Sequence, residues 1–195
     1  MTGSVYFISG IYTGIGKTYT TGYLAKLWNE QGQKTITQKL VQTGNVDVSE
    51  DIEQHRKIMG MGWFPEDDSK LTMPEIFSYP ASPHLATKID GREIDFAKIE
   101  RATQQLAEKY EVVLLEGAGG LMVPLTTDLL SIDYIAAKQL PVILVSSGRL
   151  GSINHTILSL EALKSRGLEL YALAYHLNDE SQDELISKDT ATYLK

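Results

Sequence analysis

The 195-residue chain contains no cysteine. That excludes a disulfide scaffold, a thiol nucleophile and a cysteine-ligated zinc site, and it suits a reducing cytosol. Positive charge is not in excess either: 18 Lys and Arg stand against 25 Asp and Glu, a formal net charge of −7. This argues against a nucleic-acid-binding surface but leaves room for a local basic site that takes a small anion. There is no long apolar run. The first residues enter a strand-like segment with no charged n-region and following apolar h-region. The expectation is therefore a cytoplasmic protein, neither secreted nor membrane-inserted. Internal repeats, low-complexity tracts and linkers are also missing, so one domain over 1–195 is expected. With 43% hydrophobic and 22% charged residues, the chain can bury a sizeable core.

What is present alternates. Apolar runs at 5–9, 35–40, 112–115, 141–145 and 168–173 read as strands. Helical patterns fall at 18–31, 49–59, 95–110, 131–139, 152–166 and 182–195. This order predicts an α/β protein: three layers, a mainly parallel central sheet and helices on both faces. Ser49 and Asp95 are placed to cap helices, and Gly32 to close the first one. Residues 60–74 carry Gly, Pro, Asp and Ser and read as loop. Residues 76–79 are a weak strand candidate, and Pro80 and Pro83 bracket a turn.

The most informative stretch is G-I-Y-T-G-I-G-K-T, Gly10 to Thr18, between the first strand and the first helix. Strand, glycine-rich turn, Gly-Lys-Thr and helix form the context in which a phosphate loop works. Backbone N–H groups of Gly14, Ile15, Gly16 and Tyr19 would curl around phosphate oxygens at a helix N-terminus. Lys17 would reach the outer phosphates, and the Thr18 hydroxyl would bind Mg2+. Five residues separate Gly10 from Gly16, where the common pattern has four.

A second signal, E-G-A-G-G, covers Glu116, Gly117, Ala118, Gly119 and Gly120 at the end of a buried strand. Ligands of open α/β sheets bind beyond the carboxyl ends of strands, so Glu116 is a candidate Mg2+ ligand. The small residues after it allow close backbone approach to a ligand. Lys39 ends the second strand, followed by Thr43 and Gly44. It either projects into solvent or places a second positive charge at the same edge. Asp51 lies in the first turn of a helix, as a helix-start carboxylate or as a further Mg2+ ligand, with Asp47 its rival. Leu150 to His155 opens a helix and offers either a turn with its cap or an anion site. Asn178 and Asp179 either read a nucleotide base or form a turn. His84 and His155 have no partner at metal-ligand spacing, and there is no G-x-S-x-G or Ser/His/Asp ordering.

Taken together, these motifs resemble dethiobiotin synthetase, the ATP-dependent carboxylase that closes the ureido ring in biotin synthesis. G-I-Y-T-G-I-G-K-T, K-L-V-Q-T-G, S-P-H, E-G-A-G-G-L-M-V-P-L, L-P-V-I-L-V, L-G-S-I-N-H-T and L-N-D follow the family's order across nearly the whole chain. The family's phosphate loop has the same five-residue gap. The resemblance implies a cyclo-ligase acting on diaminopelargonic acid, CO2 or bicarbonate, and ATP with Mg2+. It also implies a homodimer with the substrate at its interface. By position it implies Lys39 and Lys17 as the lysines that stabilise carbamate and γ-phosphate charge, and Thr18, Asp51 and Glu116 as Mg2+ ligands. Thr13 and Thr43 would lie near the carbamate. Leu150, Gly151, Ser152 and Asn154 would hold the distal carboxylate, and Asn178 the base. This chain departs from the family pattern at Ile11 and Tyr12, where G-T-D-T is common, and at Leu40, where a proline is usual. Family members usually continue past the position of Lys195 with a strand and loop that touch the base, which leaves nucleotide preference open. Two other readings compete: a nucleotide-switch ATPase of the partitioning or septum-site type, and a non-catalytic remnant of the ligase. The switch proteins carry an additional lysine early in the loop, where this chain has Gly10, Ile11 and Tyr12.

Overall fold

The alternating pattern builds a five-stranded parallel sheet and a separate two-stranded one. The computed structural model describes residues 3–176 and 183–195. The chain runs β1 (Ser4–Gly10), α1 (Lys17–Glu30), β2 (Thr35–Lys39), β3 (Gln42–Thr43), α2 (Glu50–Met59), α3 (Pro65–Asp68), β4 (Ile76–Phe77), α4 (Pro83–Asp90), α5 (Phe96–Lys109), β5 (Val112–Gly120), α6 (Ser131–Lys138), β6 (Val142–Ser147), α7 (Ser152–Ser165), β7 (Leu170–His176) and α8 (Glu184–Tyr193). Five strands pair in the order β2-β5-β1-β6-β7, every pair parallel. Strands covered on both faces carry continuous apolar runs. Phe7, Ile8, Leu114, Leu115, Leu144 and Val145 are accordingly fully buried.

The two-residue period of β2 shows how the layers divide. Ile36 packs with Leu106, Ala107 and Val113, and Gln38 Oε1 accepts from Thr103 at 2.7 Å, so these side chains face α5. Thr37 and Lys39, one residue out of phase, face the other way. Thr37 meets His55 and Arg56 of α2. On this face α1 and α2 lie so close that a Cβ on Gly22 would meet Ile58 Cβ at 3.0 Å and His55 Cα at 3.2 Å. On the opposite face Phe96 of α5 stacks on Tyr134 of α6 at 5.9 Å, and Asp133 of α6 pairs with Arg166 just past α7 at 3.2 Å.

Local chemistry corrects several boundaries. The chain bends at 80–81, between Pro80 and Pro83, and Pro83 also starts a helix. It is the first residue of α4, after Ser82, because proline's fixed φ and missing N–H suit a helix start. Residues 60–74 are not all loop, since α3 forms a turn of helix with Pro65 at its start. β5 runs on through Gly120 instead of stopping at Leu115, because β1 continues beside it as far as Gly10. β7 begins at Leu170 and ends at His176, two to three residues later than its apolar run suggests. The weak candidate at 76–79 contributes only β4, which pairs with β3.

α3 exists around a buried ion pair. Arg56 Nε and Nη2 donate to Asp67 Oδ2 and Oδ1 at 2.8 and 2.7 Å. Thr72 Oγ1 and the Phe64 N–H complete the carboxylate's hydrogen bonds at 2.7 and 2.8 Å. Burial opposes ionisation of Asp67, but the bonds and charge of Arg56 outweigh it and hold the carboxyl below its usual range. Its contribution to stability is therefore present above the unfolded carboxylate pKa, about 4, and is lost as pH falls below it. Arg56→Met leaves Asp67 buried and unpaired, which should cost about 3–5 kcal/mol at pH 7. The unpaired carboxyl is raised instead of lowered, so the penalty should shrink as pH falls to 5. Urea unfolding of both proteins at the two pH values measures it, and a penalty that grows on acidification would contradict this account.

Candidate active site

The phosphate loop is shaped by glycines at specific places. Gly14 and Gly16 adopt φ of 77° and 101°, left-handed conformations that cost glycine little. At Gly10 a Cβ would strike Ile15 Cγ2 at 2.5 Å. Gly16 caps α1 with no side chain, and the first turn of α1 holds no acidic residue. The helix's free N–H groups therefore face the loop, the arrangement that binds an anion. Lys17 is buried there at 7% exposure. Burial, then the charge of Lys39, pushes its ammonium below the usual range, while Glu116 and Asp51 oppose the shift.

Beyond the loop the strand register brings distant residues together. Lys39 pairs with Glu116 across β2 and β5. Lys39 Nζ donates to Glu116 Oε1 at 2.8 Å and to the Gly117 carbonyl at 3.3 Å, and it also contacts Asp51. Thr18 Oγ1 lies 2.8 Å from Asp51 Oδ1 and 3.2 Å from Glu116 Oε1. His55 Nε2 contacts Glu116 Oε2 at 2.8 Å. Burial alone would lift the Glu116 carboxyl, but Lys39 and His55 together hold it well below its usual range. Burial works against the Lys39 ammonium too, and Glu116 and Asp51 raise it above its usual value. The charged form of Lys39 is thereby favoured over the neutral amine.

Thr18, Asp51 and Glu116 bring one hydroxyl and two carboxylates to one point. These hard oxygens suit Mg2+ that keeps water and phosphate as its remaining ligands. Among the described residues no three His, Cys, Asp or Glu side chains converge as a metal site. Between Asp51 and Asp47, geometry favours Asp51. The backbone carbonyl of Asp47 instead accepts from Lys70 at 2.6 Å.

The remaining candidates lie around this cluster. Thr13 Oγ1 faces Gly119, 3.4 Å from where a Cβ would stand. Thr43 sits on the short β3. A cavity of about 410 Å³ opens beside Ile11, Tyr12 and Thr13 and reaches Met122, His155 and Leu158. The Tyr12 and His155 rings meet edge-on there, 6.0 Å apart. A larger cavity of about 760 Å³, between α4 and the turn at Thr126 to Asp128, holds no phosphate-loop residue. At the start of α7, Gly151 has φ of 94° and Leu150 is 88% exposed, while Ser152 is buried and bonded to Ser147 at 3.1 Å. Asn154 is exposed. The Tyr19 ring stands edge-on to His176 at 5.4 Å. Asn178 and Asp179 lie outside the described residues. Sequence reading missed His55. Its signal is the four-residue spacing from Asp51, which puts both on one helix face.

A phosphate loop after the first strand of a parallel sheet, with an acidic residue on the neighbouring strand, defines a nucleoside-triphosphate-binding protein of the P-loop class. The AAA domain family model matches residues 4–191. A ParA family ATPase from Chlorobium tepidum superposes over 98% of this chain and 80% of its own with a TM-score of 0.55 at 13% identity, a likeness of fold alone. Sequence relatives are far closer. ATP-dependent dethiobiotin synthetase BioD 2 of Pasteurella multocida is 50% identical over 98% of this chain and 89% of its own. The BioD protein of Chlorobaculum tepidum is 53% identical over 97% and 79%. BioD 2 of Haemophilus influenzae is 50% identical over 97% and 99%. The chain belongs to the ATP-dependent dethiobiotin synthetase family.

The end of β5 after Glu116 is constrained by packing. A Cβ at Gly117 would lie 2.7 Å from Cε1 and Cζ of the buried Phe7 ring. Gly117→Ala should destabilise the protein by about 1–3 kcal/mol through overpacking. Phe7→Leu in the same chain should recover part of that loss, because the two sites share one contact. Additive effects in urea unfolding would show that the clash relaxes elsewhere.

Proposed function

We propose that the chain synthesises dethiobiotin at the edge formed by Lys17, Lys39, Asp51 and Glu116, from diaminopelargonic acid, CO2 and ATP. Membership of the family gives the ATP-dependent reaction. The observation that carries the site assignment is the convergence of two buried lysines, two carboxylates and the Thr18 hydroxyl just beyond an uncapped helix N-terminus.

One substrate amine attacks CO2, loses a proton and becomes a carbamate. A carbamate oxygen attacks the γ-phosphorus of ATP, releasing ADP and forming a carbamic–phosphoric anhydride. The second amine attacks the anhydride carbonyl, the C–O bond to phosphate breaks, and loss of the amine proton completes the five-membered ring. Each step gathers anions, so the protein's task is to hold them together against repulsion. Lys17 faces the outer phosphates. Lys39, kept charged by Glu116 and Asp51, stabilises the carbamate and the transferring phosphoryl group. Backbone N–H groups of Gly14, Ile15, Gly16, Lys17, Thr18 and Tyr19 bind the phosphates, with Gly117, Ala118 and Gly119 approaching from the facing strand. Thr18, Asp51 and Glu116 would hold Mg2+, which supplies charge neutralisation on the phosphates when bound. Asn178 and Asp179 take the base. Thr13 and Thr43 orient the carbamate, and holding the second amine beside it makes closure effectively unimolecular.

The cavity beside Tyr12 and Met122 fits the substrate's aliphatic chain. The exposed start of α7, with Leu150, Gly151, Ser152 and Asn154, is proposed to take the distal carboxylate across a homodimer interface. Among the described residues no helix is long and apolar enough to cross a membrane, in keeping with a biosynthetic enzyme of the cytoplasm. A nucleotide-switch reading has no use for Lys39 buried against Glu116.

Protein incubated with Mg-ATP, bicarbonate and diaminopelargonic acid should yield dethiobiotin by mass spectrometry, and none when any component is omitted. Lys39→Ala, checked for folding by circular dichroism, should lower turnover by at least about 100-fold while nucleotide binding persists. Full activity in that variant would remove Lys39 from the chemistry. ATP hydrolysis without any diamine requirement would favour the switch.

A further inference from the structure

α2 delivers two side chains to the acidic cluster. Asp51 and His55 stand one helical turn apart on the same face. Asp51 reaches Thr18 and Lys39. His55 is fully buried, and its Nε2 lies 2.8 Å from Glu116 Oε2. The two oxygens of Glu116 therefore have separate duties. Oε1 accepts from Lys39 at 2.8 Å and from Thr18 at 3.2 Å, and Oε2 belongs to His55.

The other ring nitrogen is held as well. Nδ1 of His55 lies 3.1 Å from Thr37 Oγ1. That same hydroxyl oxygen accepts from Arg56 Nη1 at 2.9 Å, and a guanidinium can only donate. The Glu116 carboxylate only accepts, so Nε2 carries a hydrogen and donates to it. With the ring neutral, Nδ1 then accepts from the Thr37 hydroxyl, whose oxygen gives one lone pair to Arg56. Arg56 is in turn held by both oxygens of Asp67. The side chains form a connected row from Arg56 through Thr37 and His55 to Glu116. All four side chains are buried, so water does not compete for them.

We infer that His55 is a positioning residue for the reaction: by engaging Oε2 it fixes the plane of the Glu116 carboxylate and presents Oε1 alone to the Thr18 and Asp51 oxygens. The inference rests on the reading of Glu116 as a Mg2+ ligand. Without His55 the carboxylate can rotate and offer both oxygens to the Lys39 ammonium, which turns Oε1 away from Thr18. Partners that orient metal ligands in this way are worth about 10–100-fold in metal affinity.

The test uses the full chain and a fluorescent ADP analogue whose binding is titrated with Mg2+. His55→Leu should raise the Mg2+ concentration for half-maximal binding by about 10–100-fold. His55→Gln, whose amide nitrogen can donate from nearly the same place, should recover most of that loss. Thr37→Val should raise the requirement in the same direction, and it serves where His55→Leu does not fold. Nitrogen-15 spectra of the histidine side chains, with His55 assigned by its loss in His55→Gln, should show hydrogen on Nε2 in the native protein. Thr37→Val should weaken that preference. A wild-type Mg2+ requirement in both His55→Leu and Thr37→Val, or hydrogen on Nδ1 alone in the native protein, would overturn the inference. Native binding with no response to Mg2+ would overturn the metal reading and this inference together. A native response that the variants leave unchanged would overturn the positioning role alone.

Discussion

A carboxylate with no access to solvent organises this molecule. Glu116 sits on β5 opposite the last residue of β2, fully buried. An ionised group there is stable only if opposite charge and hydrogen bonds replace the water it has lost. Lys39 is supplied by the adjacent strand at the same register, Thr18 by the first turn of α1 and His55 by α2. Three separate elements must therefore dock correctly before the charge is satisfied. That requirement couples the site to the fold, since the elements that compensate Glu116 are those that shape the phosphate edge.

The compensation extends outward in one direction. Thr37 and Lys39 leave the same side of β2, two residues apart, one toward His55 and one toward Glu116 itself. Arg56, next to His55 in sequence, turns to Asp67. A segment that composition marks as loop is thereby anchored by a buried ion pair, and the polar interior forms a connected row. The apolar interior, with Phe7, Leu114 and Val145 at its centre, supplies cohesion without direction. The polar row supplies the direction.

This explains what the sequence made legible and what it did not. The phosphate loop, Glu116 and the parallel sheet are local patterns, readable because glycines, a lysine and apolar runs occur in order. The family resemblance, now joined by relatives at about half identity, rests on those same patterns. Choosing between Asp47 and Asp51 needed the phase of α2, which puts Asp51 toward Thr18 while Asp47 precedes the helix. His55 was passed over because its partner is 61 positions away, and its four-residue spacing from Asp51 gains meaning only once both are placed on α2. The turn bracketed by Pro80 and Pro83 was legible, but the helix that Pro83 starts was not, since it spans only eight residues. Asp67 was hidden in a loop-like composition because its partner, Arg56, comes from another element.

The closeness of α1 and α2 at Gly22 gives the site a mechanical gauge. The hydrogen atom at that position, in place of a methyl group, sets the separation of the two helices that carry Thr18 on one side and Asp51 and His55 on the other. The alignment of oxygens around the phosphate edge is thus governed from a point that touches no substrate. A change of one carbon atom there would act as a shim, lifting Asp51 and His55 together while leaving the sequence of the loop and of the strands untouched.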